Sequence, residues 1–217
     1  VAVLPSASRP VPLARRMAVL AALVLALVVA AGAALAFDTS WSLLRPGGRA
    51  PQALRYAASA YDPGRNRLLV FGGRDASEYH DDLWALDLDD EEWALVRPPG
   101  QQPDPRTVAA MAFDDDGDAA VVFGGYRYTS DSGGRSTFFD DTWFLELAGA
   151  DGADWVKLPF TAHKPPARGG ASMVYQPRTG GAGRMVVFGG YDDYQGFNDV
   201  WSLDLTPGNR VWTELGR

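Results

Sequence analysis

Cysteine and histidine, two residue types that commonly act as nucleophiles or metal ligands, are rare in this 217-residue chain. The chain contains no cysteine and two histidines, His80 and His163. Without cysteine there can be no disulfide, thiolate zinc site or cysteine nucleophile, and two histidines are too few for a histidine-rich metal centre. We therefore predict no catalytic residue, no metal site and no cofactor.

A run of acidic residues is the candidate for cation binding. Four aspartates between 114 and 118 surround Gly117, which is similar to the start of a calcium loop. An EF-hand loop ends on a glutamate at its twelfth position, and that position holds Gly125. We therefore interpret the acidic run as a solvated turn.

Aromatic and basic side chains are concentrated in three polar segments of unequal length, 74–80, 126–139 and 191–197. Such side chains can stack on a sugar or a peptide and donate hydrogen bonds to it. We predict a ligand-binding surface made by Tyr79, His80, Tyr126, Arg127, Tyr128, Tyr191, Tyr194 and Phe197. The alternative, which the sequence leaves open, is that these rings pack on one another.

The aromatic segments connect parts of an internal repeat that occurs three times. Each copy has four short stretches that are apolar or alternate in polarity and are separated by Gly, Pro and Asp, which is typical of β-strands. We name the four predicted strands of each copy a to d. They are predicted within 55–62, 68–73, 81–88 and 93–96, within 106–114, 120–126, 140–147 and 155–158, and within 168–176, 185–191, 198–205 and 211–215.

The turns between strands a and b indicate how the strands pair. Residues 62–66 and 114–118 contain glycine in the short turns typical of hairpins, so strands adjacent in sequence should pair antiparallel. The b–c and d–a loops then lie together at one end of the repeats. We call this end the b–c face, and it carries the aromatic segments.

The repeat resembles the kelch repeat. Each copy closes strand b with a double glycine, approaches a tryptophan in strand c through aspartate, and has a further tryptophan at strand d. The resemblance implies an all-β fold, a kelch-type β-propeller with one four-stranded blade per repeat, the blades spanning about 55–96, 106–158 and 168–215. Residues 41–44 resemble one extra N-terminal strand, strand d of a preceding blade, so the chain would form a partial ring.

Residues that recur in every copy are expected to serve the scaffold. The strand-c and strand-d tryptophans should fill the layers between blades because each buries a large apolar surface. Three recurring arginines are predicted to hydrogen-bond turn carbonyls or carboxylates, and three recurring aspartates to cap turns. These residues are Arg55, Arg106 and Arg168, and Asp82, Asp141 and Asp199.

The amino-terminal segment predicts export. Residues 17–37 are an unbroken apolar run that follows Arg15-Arg16 and ends in a small-x-small site before Phe37. This pattern is typical of a signal peptide spanning 1–36, which leaves 37–217 as the propeller segment. The alternative is an uncleaved membrane anchor, which would be the chain's one contact with a membrane. Either interpretation predicts a secreted or extracytoplasmic protein.

Charge and resemblance together limit the expected function. The net charge of −7 lacks the basic field of a nucleic-acid-binding protein. The leading hypothesis is an extracytoplasmic kelch-repeat module that binds a protein or carbohydrate ligand on its b–c face. The resemblance, which extends to the galactose oxidase-like superfamily, implies an alternative. The chain would then be part of a secreted carbohydrate-active enzyme of oxidase, epimerase or lyase type, with its catalytic residues outside this segment.

Overall fold

The computed structural model describes residues 40–129, 134–149 and 152–216. The predicted signal peptide or anchor lies outside these residues. The chain divides into two units after Leu43, and the first contributes only residues 40–43 to the described part. No helix long and apolar enough to cross a membrane occurs among the described residues.

The second unit, which starts at Leu44, is built from β-strands in the described part of the chain. Blade 1 contains the strands β1 (Gly47–Gly48), β2 (Ala58–Asp62), β3 (Arg67–Phe71), β4 (Leu83–Asp87) and β5 (Glu92–Val96). Blade 2 and its long loop contain β6 (Ala110–Asp114), β7 (Ala119–Phe123), β8 (Tyr126–Thr129), β9 (Arg135–Phe138), β10 (Thr142–Gly149) and β11 (Gly152–Lys157). Blade 3 contains β12 (Ser172–Arg178), β13 (Gly181–Phe188), β14 (Val200–Asp204) and β15 (Trp212–Gly216).

The strands of each blade pair in the order a-b-c-d. Blade 2 has the order β6-β7-β10-β11 and blade 3 the order β12-β13-β14-β15, with antiparallel pairing throughout. Blade 1 repeats this pattern in β2 to β5. The predicted all-β fold with four-stranded propeller blades is therefore confirmed.

Two short elements differ from the prediction. Residues 41–44 form no strand, and the extra strand at the amino-terminal side is β1, which pairs parallel with β5 at the outer edge of blade 1. A strand requires a neighbour for its backbone groups, and Gly47 and Gly48 find theirs in Glu92 and Trp93 of β5. In blade 2, the b–c loop folds into the unpredicted β8–β9 hairpin.

Two hydrophobic layers hold the three blades together. The first joins blade 1 to blade 2 through residues such as Phe71, Leu83 and Trp143. The second joins blade 2 to blade 3 through residues such as Phe123, Phe144 and Trp201. Strands β6 and β7 of blade 2 are buried along their whole length because both faces of this blade are covered. The tryptophans of strands c and d in blades 2 and 3 thus fill the inter-blade layers as predicted.

Candidate functional site

Four rings on the b–c face form a row across all three blades. Tyr79 lies edge-on to Tyr126, and Tyr126 lies edge-on to Tyr191, with 6.4 Å between ring centroids in each pair. Phe138 from β9 stacks on Tyr126 at 5.1 Å and meets the edge of Tyr191 at 6.1 Å. Arg74 covers the Tyr79 ring at 5.1 Å. We call Tyr79, Tyr126, Phe138 and Tyr191 the aromatic row.

The backbone holds the aromatic row close to the start of strand a in blade 3. Gly170 has a φ of +68°, and a Cβ there would lie 2.7 Å from the Tyr191 ring. A Cβ at Gly169 would lie 2.9 Å from Val108 and 3.2 Å from the Tyr126 ring. Only glycine allows this close approach of ring and backbone. These four rings therefore pack on one another and on the scaffold.

Two other predicted tyrosines are exposed beside the aromatic row. Tyr194 is 94% exposed and Tyr128 is 48% exposed. Tyr194 follows a tight turn in which the Asp192 side chain accepts hydrogen bonds from the backbone N–H groups of Tyr194 and Gln195. Because the turn is fixed while the ring is free, Tyr194 can contact a ligand without rearrangement of the backbone.

The hydroxyl group of Tyr126, at the centre of the row, remains protonated at neutral pH. Burial, together with the nearby Tyr191 and Tyr79, raises the pKa of Tyr126 above its ordinary value. A protonated phenol both donates and accepts hydrogen bonds. The row can thus offer neutral hydrogen-bonding groups, while cationic groups come from Arg74 and from Arg127, which is also partly exposed.

Phe197, a predicted ligand-binding residue, lies against the scaffold. Its ring supports the guanidinium of Arg168 at 4.0 Å, and Phe139 supports Arg106 at 3.9 Å in the same way. His80 occupies the corresponding place in blade 1, because its backbone N–H bonds Gly73 as those of Phe139 and Phe197 bond Gly125 and Gly190. His80 is 8% exposed. The structure thus places the Phe197 ring against Arg168 and the His80 backbone at the equivalent position of blade 1.

A buried arginine in each of blades 2 and 3 pairs with the aspartate that precedes the strand-c tryptophan. Arg106 donates to both carboxylate oxygens of Asp141, at 2.6 and 3.1 Å, and to the Gly124 carbonyl at 3.0 Å. Trp143 Nε1 donates to the same carboxylate at 2.8 Å. These aspartates therefore hold arginine and tryptophan side chains, which replaces the prediction that they cap turns. The arginines bond carboxylates and carbonyls as predicted.

The electrostatics of the two carboxylates follow from this pairing. Burial alone would raise the pKa of Asp141, but the hydrogen bond and charge of Arg106 outweigh burial and hold this pKa below its ordinary value. The hydrogen bond from Arg168 likewise lowers the pKa of Asp199. Both carboxylates are therefore ionised at neutral pH and complete buried ion pairs.

Blade 1 departs from this arrangement, because its recurring arginine lies at a different position. Arg55 forms a backbone bridge with Arg74, as Thr107 does with Tyr126 and Gly169 with Tyr191. The place of Arg106 and Arg168 is one residue earlier in blade 1 and holds Leu54. Arg55 is exposed, and its side chain contacts the Asp75 carbonyl at 3.5 Å. Sequence comparison missed this shift because Arg55 has the right residue type at a neighbouring position.

The acidic run at 114–118 is engaged by protein groups. Asp114 accepts a hydrogen bond from the Gly117 N–H, Asp116 from the Tyr175 hydroxyl, and Asp118 from Arg65. Burial raises the pKa of Asp114. These contacts agree with the interpretation of the run as a turn.

A separate group on the b–c face could hold a metal ion by residue type. Ligand atoms of Asp75, Glu78 and His80 lie within 4.8 Å of one another. Asp75 accepts hydrogen bonds from the backbone N–H groups of Ser77 and Glu78, and Asp192 makes the same turn in blade 3. Because the turn recurs without the histidine, we interpret Asp75 as a turn residue.

Comparison with known proteins gives one family. Residues 34–216 match the family described as the KLHDC2/KLHL20/DRC7 Kelch-repeats domain. Among solved structures, the chain is similar to the one titled "Structure of YjhT", with a TM-score of 0.56 and 13% identity over 76% of this chain and 47% of that chain. This likeness supports the propeller fold.

Curated relatives are similar over most of this chain and a small part of their own. The dynein alpha chain of the flagellar outer arm of Chlamydomonas reinhardtii is 29% identical over 77% of this chain and 4% of its own length. The leucine-zipper-like transcriptional regulator 1 homolog of Drosophila melanogaster is 28% identical over 70% and 14%, respectively. Human host cell factor 1 is 27% identical over 64% and 7%. The chain thus corresponds to one region within much longer proteins.

Proposed function

Because the chain belongs to the KLHDC2/KLHL20/DRC7 Kelch-repeats domain family, we propose that its b–c face binds an extended segment of a partner protein. A kelch-repeat domain of this family is a protein-interaction module. The observation that carries the choice of face is the exposure of Tyr128 and Tyr194 beside the aromatic row. Rigid aromatic side chains supply contact area at low entropic cost.

The geometry of the row favours a peptide over a sugar. Successive tyrosine rings pack edge to face at 62°, which leaves fewer open ring faces of the kind on which a sugar stacks best. Edges and hydroxyls can contact the side chains and carbonyl oxygens of an extended peptide. A carbohydrate ligand is the other outcome of the test.

We place this function outside the cytoplasm. The support is the apolar run at 17–37 preceded by arginines, together with the small-x-small site before Phe37, which are the features of a signal peptide. Amino-terminal sequencing of the secreted protein tests this location, and the expected first residue is Phe37. Recovery of a chain that retains residues 17–36 in membranes would identify an anchor instead.

The binding proposal is tested with the whole chain on peptide and glycan arrays, followed by titration of the best ligand. Tyr128→Ala and Tyr194→Ala should each weaken binding several-fold, because an aromatic contact contributes about 0.5–1.5 kcal/mol beyond its area. Tyr61→Ala is the matched control, because Tyr61 is 49% exposed in strand β2 and outside the b–c loops.

Three results decide the proposal. Weaker peptide binding in both b–c variants with normal binding in the control supports it. Selective binding of glycans would assign the carbohydrate class instead. Normal peptide binding by both Tyr128→Ala and Tyr194→Ala would show that the face does not bind the ligand.

A further inference from the structure

Blades 2 and 3 each build a complete receptor for a guanidinium group. Arg168 is 0% exposed, and it donates to both carboxylate oxygens of Asp199 at 2.5 and 2.9 Å and to the Gly189 carbonyl at 2.9 Å. The ring of Phe197 lies 4.0 Å from the guanidinium carbon. Arg106 has the corresponding carboxylate, carbonyl and ring around it in blade 2. The same guanidinium-binding arrangement thus occurs in blade 2 and in blade 3.

Blade 1 keeps the receptor positions and lacks the arginine. The backbone of Asp82 accepts from Gly72 as Asp141 accepts from Gly124 and Asp199 from Gly189, so Asp82 is the residue of blade 1 that is equivalent to Asp141 and Asp199 in the backbone. His80 supplies an aromatic ring at the place of Phe139 and Phe197. Leu54 stands where the arginine would be. Leucine is uncharged and shorter than arginine, so it cannot form an ion pair with Asp82.

Two polar groups of blade 1 consequently lack the partners that their equivalents have. Trp84 is 3% exposed, and its Nε1 has no hydrogen-bond partner. In blades 2 and 3 the same indole N–H donates at 2.8 Å to the carboxylate that holds the arginine. No hydrogen bond reaches the Asp82 carboxylate within the described part of the chain. A buried unsatisfied N–H is costly, and it points to a carboxylate that is not held in its receptor position.

We propose that blade 1 contains a binding site for a guanidinium group supplied from outside the chain. The carboxylate of Asp82, the Gly72 carbonyl and the His80 ring would receive the guanidinium as the equivalent groups receive Arg106 and Arg168. A bidentate bond to the guanidinium would fix the Asp82 carboxylate, which could then accept from Trp84 Nε1. Planar, bidentate recognition of this kind selects guanidinium over ammonium.

The surroundings allow a ligand to reach these groups. Asp82 is partly exposed, as is Asp141 in blade 2, whereas Asp199 is buried. The amide nitrogen of Gln52 lies 3.1 Å from both ring nitrogens of His80, and Gln52 is exposed, so its side chain can move aside for the ligand. Asp75 bonds His80 Nε2 at 3.1 Å and adds negative charge beside the ring. Asp75 and Asp82 thus place negative charge at the site, the guanidinium carbon of Arg49 lies 5.9 Å from the centroid of the Trp84 ring, and the exposed Gln52 borders the site.

The test is a titration of the whole chain followed through the indole N–H signals of the tryptophans in ¹H–¹⁵N spectra, with Trp84 assigned from a Trp84→Phe variant. The probes are N-acetyl-arginine amide, the matched citrulline and lysine amides, and the pentapeptide Gly-Gly-Arg-Gly-Gly. We expect the arginine amide to shift the Trp84 signal. The lysine amide should bind at least several-fold more weakly, and the citrulline amide should not shift the signal. Tighter binding of the pentapeptide than of the arginine amide would identify a protein side chain as the source, and equal binding would identify a free guanidinium compound.

Variants separate this site from other binding. Asp82→Asn should weaken binding at least tenfold, which corresponds to about 1.4 kcal/mol, while Asp81→Asn on the neighbouring carboxylate should bind normally. Leu54→Arg should abolish binding and raise the melting temperature, because the new side chain would occupy the receptor. An unmoved Trp84 signal, an equal response to citrulline, or unchanged binding in Asp82→Asn would each overturn the proposal. None of these readouts uses the aromatic row, so the outcome is independent of the peptide-binding function.

Discussion

Replacement of Arg168 by methionine should be among the most destabilising single changes in blade 3. The arginine side chain is fully buried and donates four hydrogen bonds to Asp199, Gly189 and the neighbouring Pro166 carbonyl. Methionine keeps much of the apolar volume but none of these donors. The Asp199 carboxylate would then remain buried with one donor, Trp201 Nε1.

The expected size of the effect follows from the burial of the pair. Removing one partner of a buried ion pair costs about 3–5 kcal/mol, because the other charge is left without compensation. Asp199→Asn in the Arg168→Met background removes that charge, so the double variant should be more stable than the sum of the single losses implies, with a coupling energy of about 0.5–3 kcal/mol. Arg178, paired with Asp204 at 2.7 Å but 40% exposed, is the matched control. Arg178→Met should cost about 0–1 kcal/mol.

The measurement is urea unfolding of the whole chain at pH 7, followed by tryptophan fluorescence and far-UV circular dichroism. Coincident transitions would justify a single free energy of unfolding for each variant. If Arg168→Met and Arg178→Met lose the same stability, or if the double variant shows no coupling, the buried ion pair does not stabilise blade 3.

Further predictions concern pH, backbone and core. The pKa values of Asp141 and Asp199 lie below the ordinary value, so their contribution to stability should be complete above the unfolded-state value of about 3.9 and should be lost as the pH falls through the folded-state values; a pH series of urea midpoints should show that Asp199→Asn loses less stability on acidification than the unchanged chain does. Gly124→Ala and Gly180→Ala both place alanine at positive φ, but the new Cβ lies 2.5 Å from the Arg168 carbonyl in the first and near nothing in the second. Gly180→Ala should therefore cost about 1–2 kcal/mol and Gly124→Ala clearly more, and equal melting temperatures would contradict this. Trp143→Ala should cost about 3–5 kcal/mol, measured by the same unfolding assay, and a loss below about 1 kcal/mol would show that Trp143 is not a core residue.

The twelve blade strands could be predicted because three features of the sequence agree: apolar runs of strand length, a double glycine and tryptophans at matching places in each repeat, and short turns between strands. In blade 2, for example, the apolar run before Gly124-Gly125 became β7, and the run around Trp143 became β10. Short turns fixed the antiparallel pairing of β6 with β7. Local conformational preference and burial favour the same element here, and a strand can be predicted from sequence where the two agree.

The elements that were missed depend on contacts that sequence patterns do not encode. The β8–β9 hairpin pairs residues 126–129 with 135–138, and its mixture of polar and aromatic residues lacks the apolar pattern of a blade strand. Strand β1 consists of two glycines, which have no side-chain pattern, and it forms through a parallel pairing with β5. The buried pair of Arg168 and Asp199 joins residues 31 positions apart, a distance that no local rule addresses.

Recurrence among the blades also separates the tyrosines of the b–c face into two classes. Tyr126 and Tyr191 occupy one equivalent position, which holds Arg74 in blade 1, and their rings are packed in the aromatic row. Tyr128 and Tyr194 lie in the parts of the loops that differ between blades, and both are exposed. A position that every blade uses is constrained by the scaffold, whereas a residue found in one loop is free to serve a ligand. Tyr191 of the row is also 42% exposed, but its ring is held by its packing on Tyr126 and Phe138, so the ligand specificity of the face should depend mainly on Tyr128 and Tyr194.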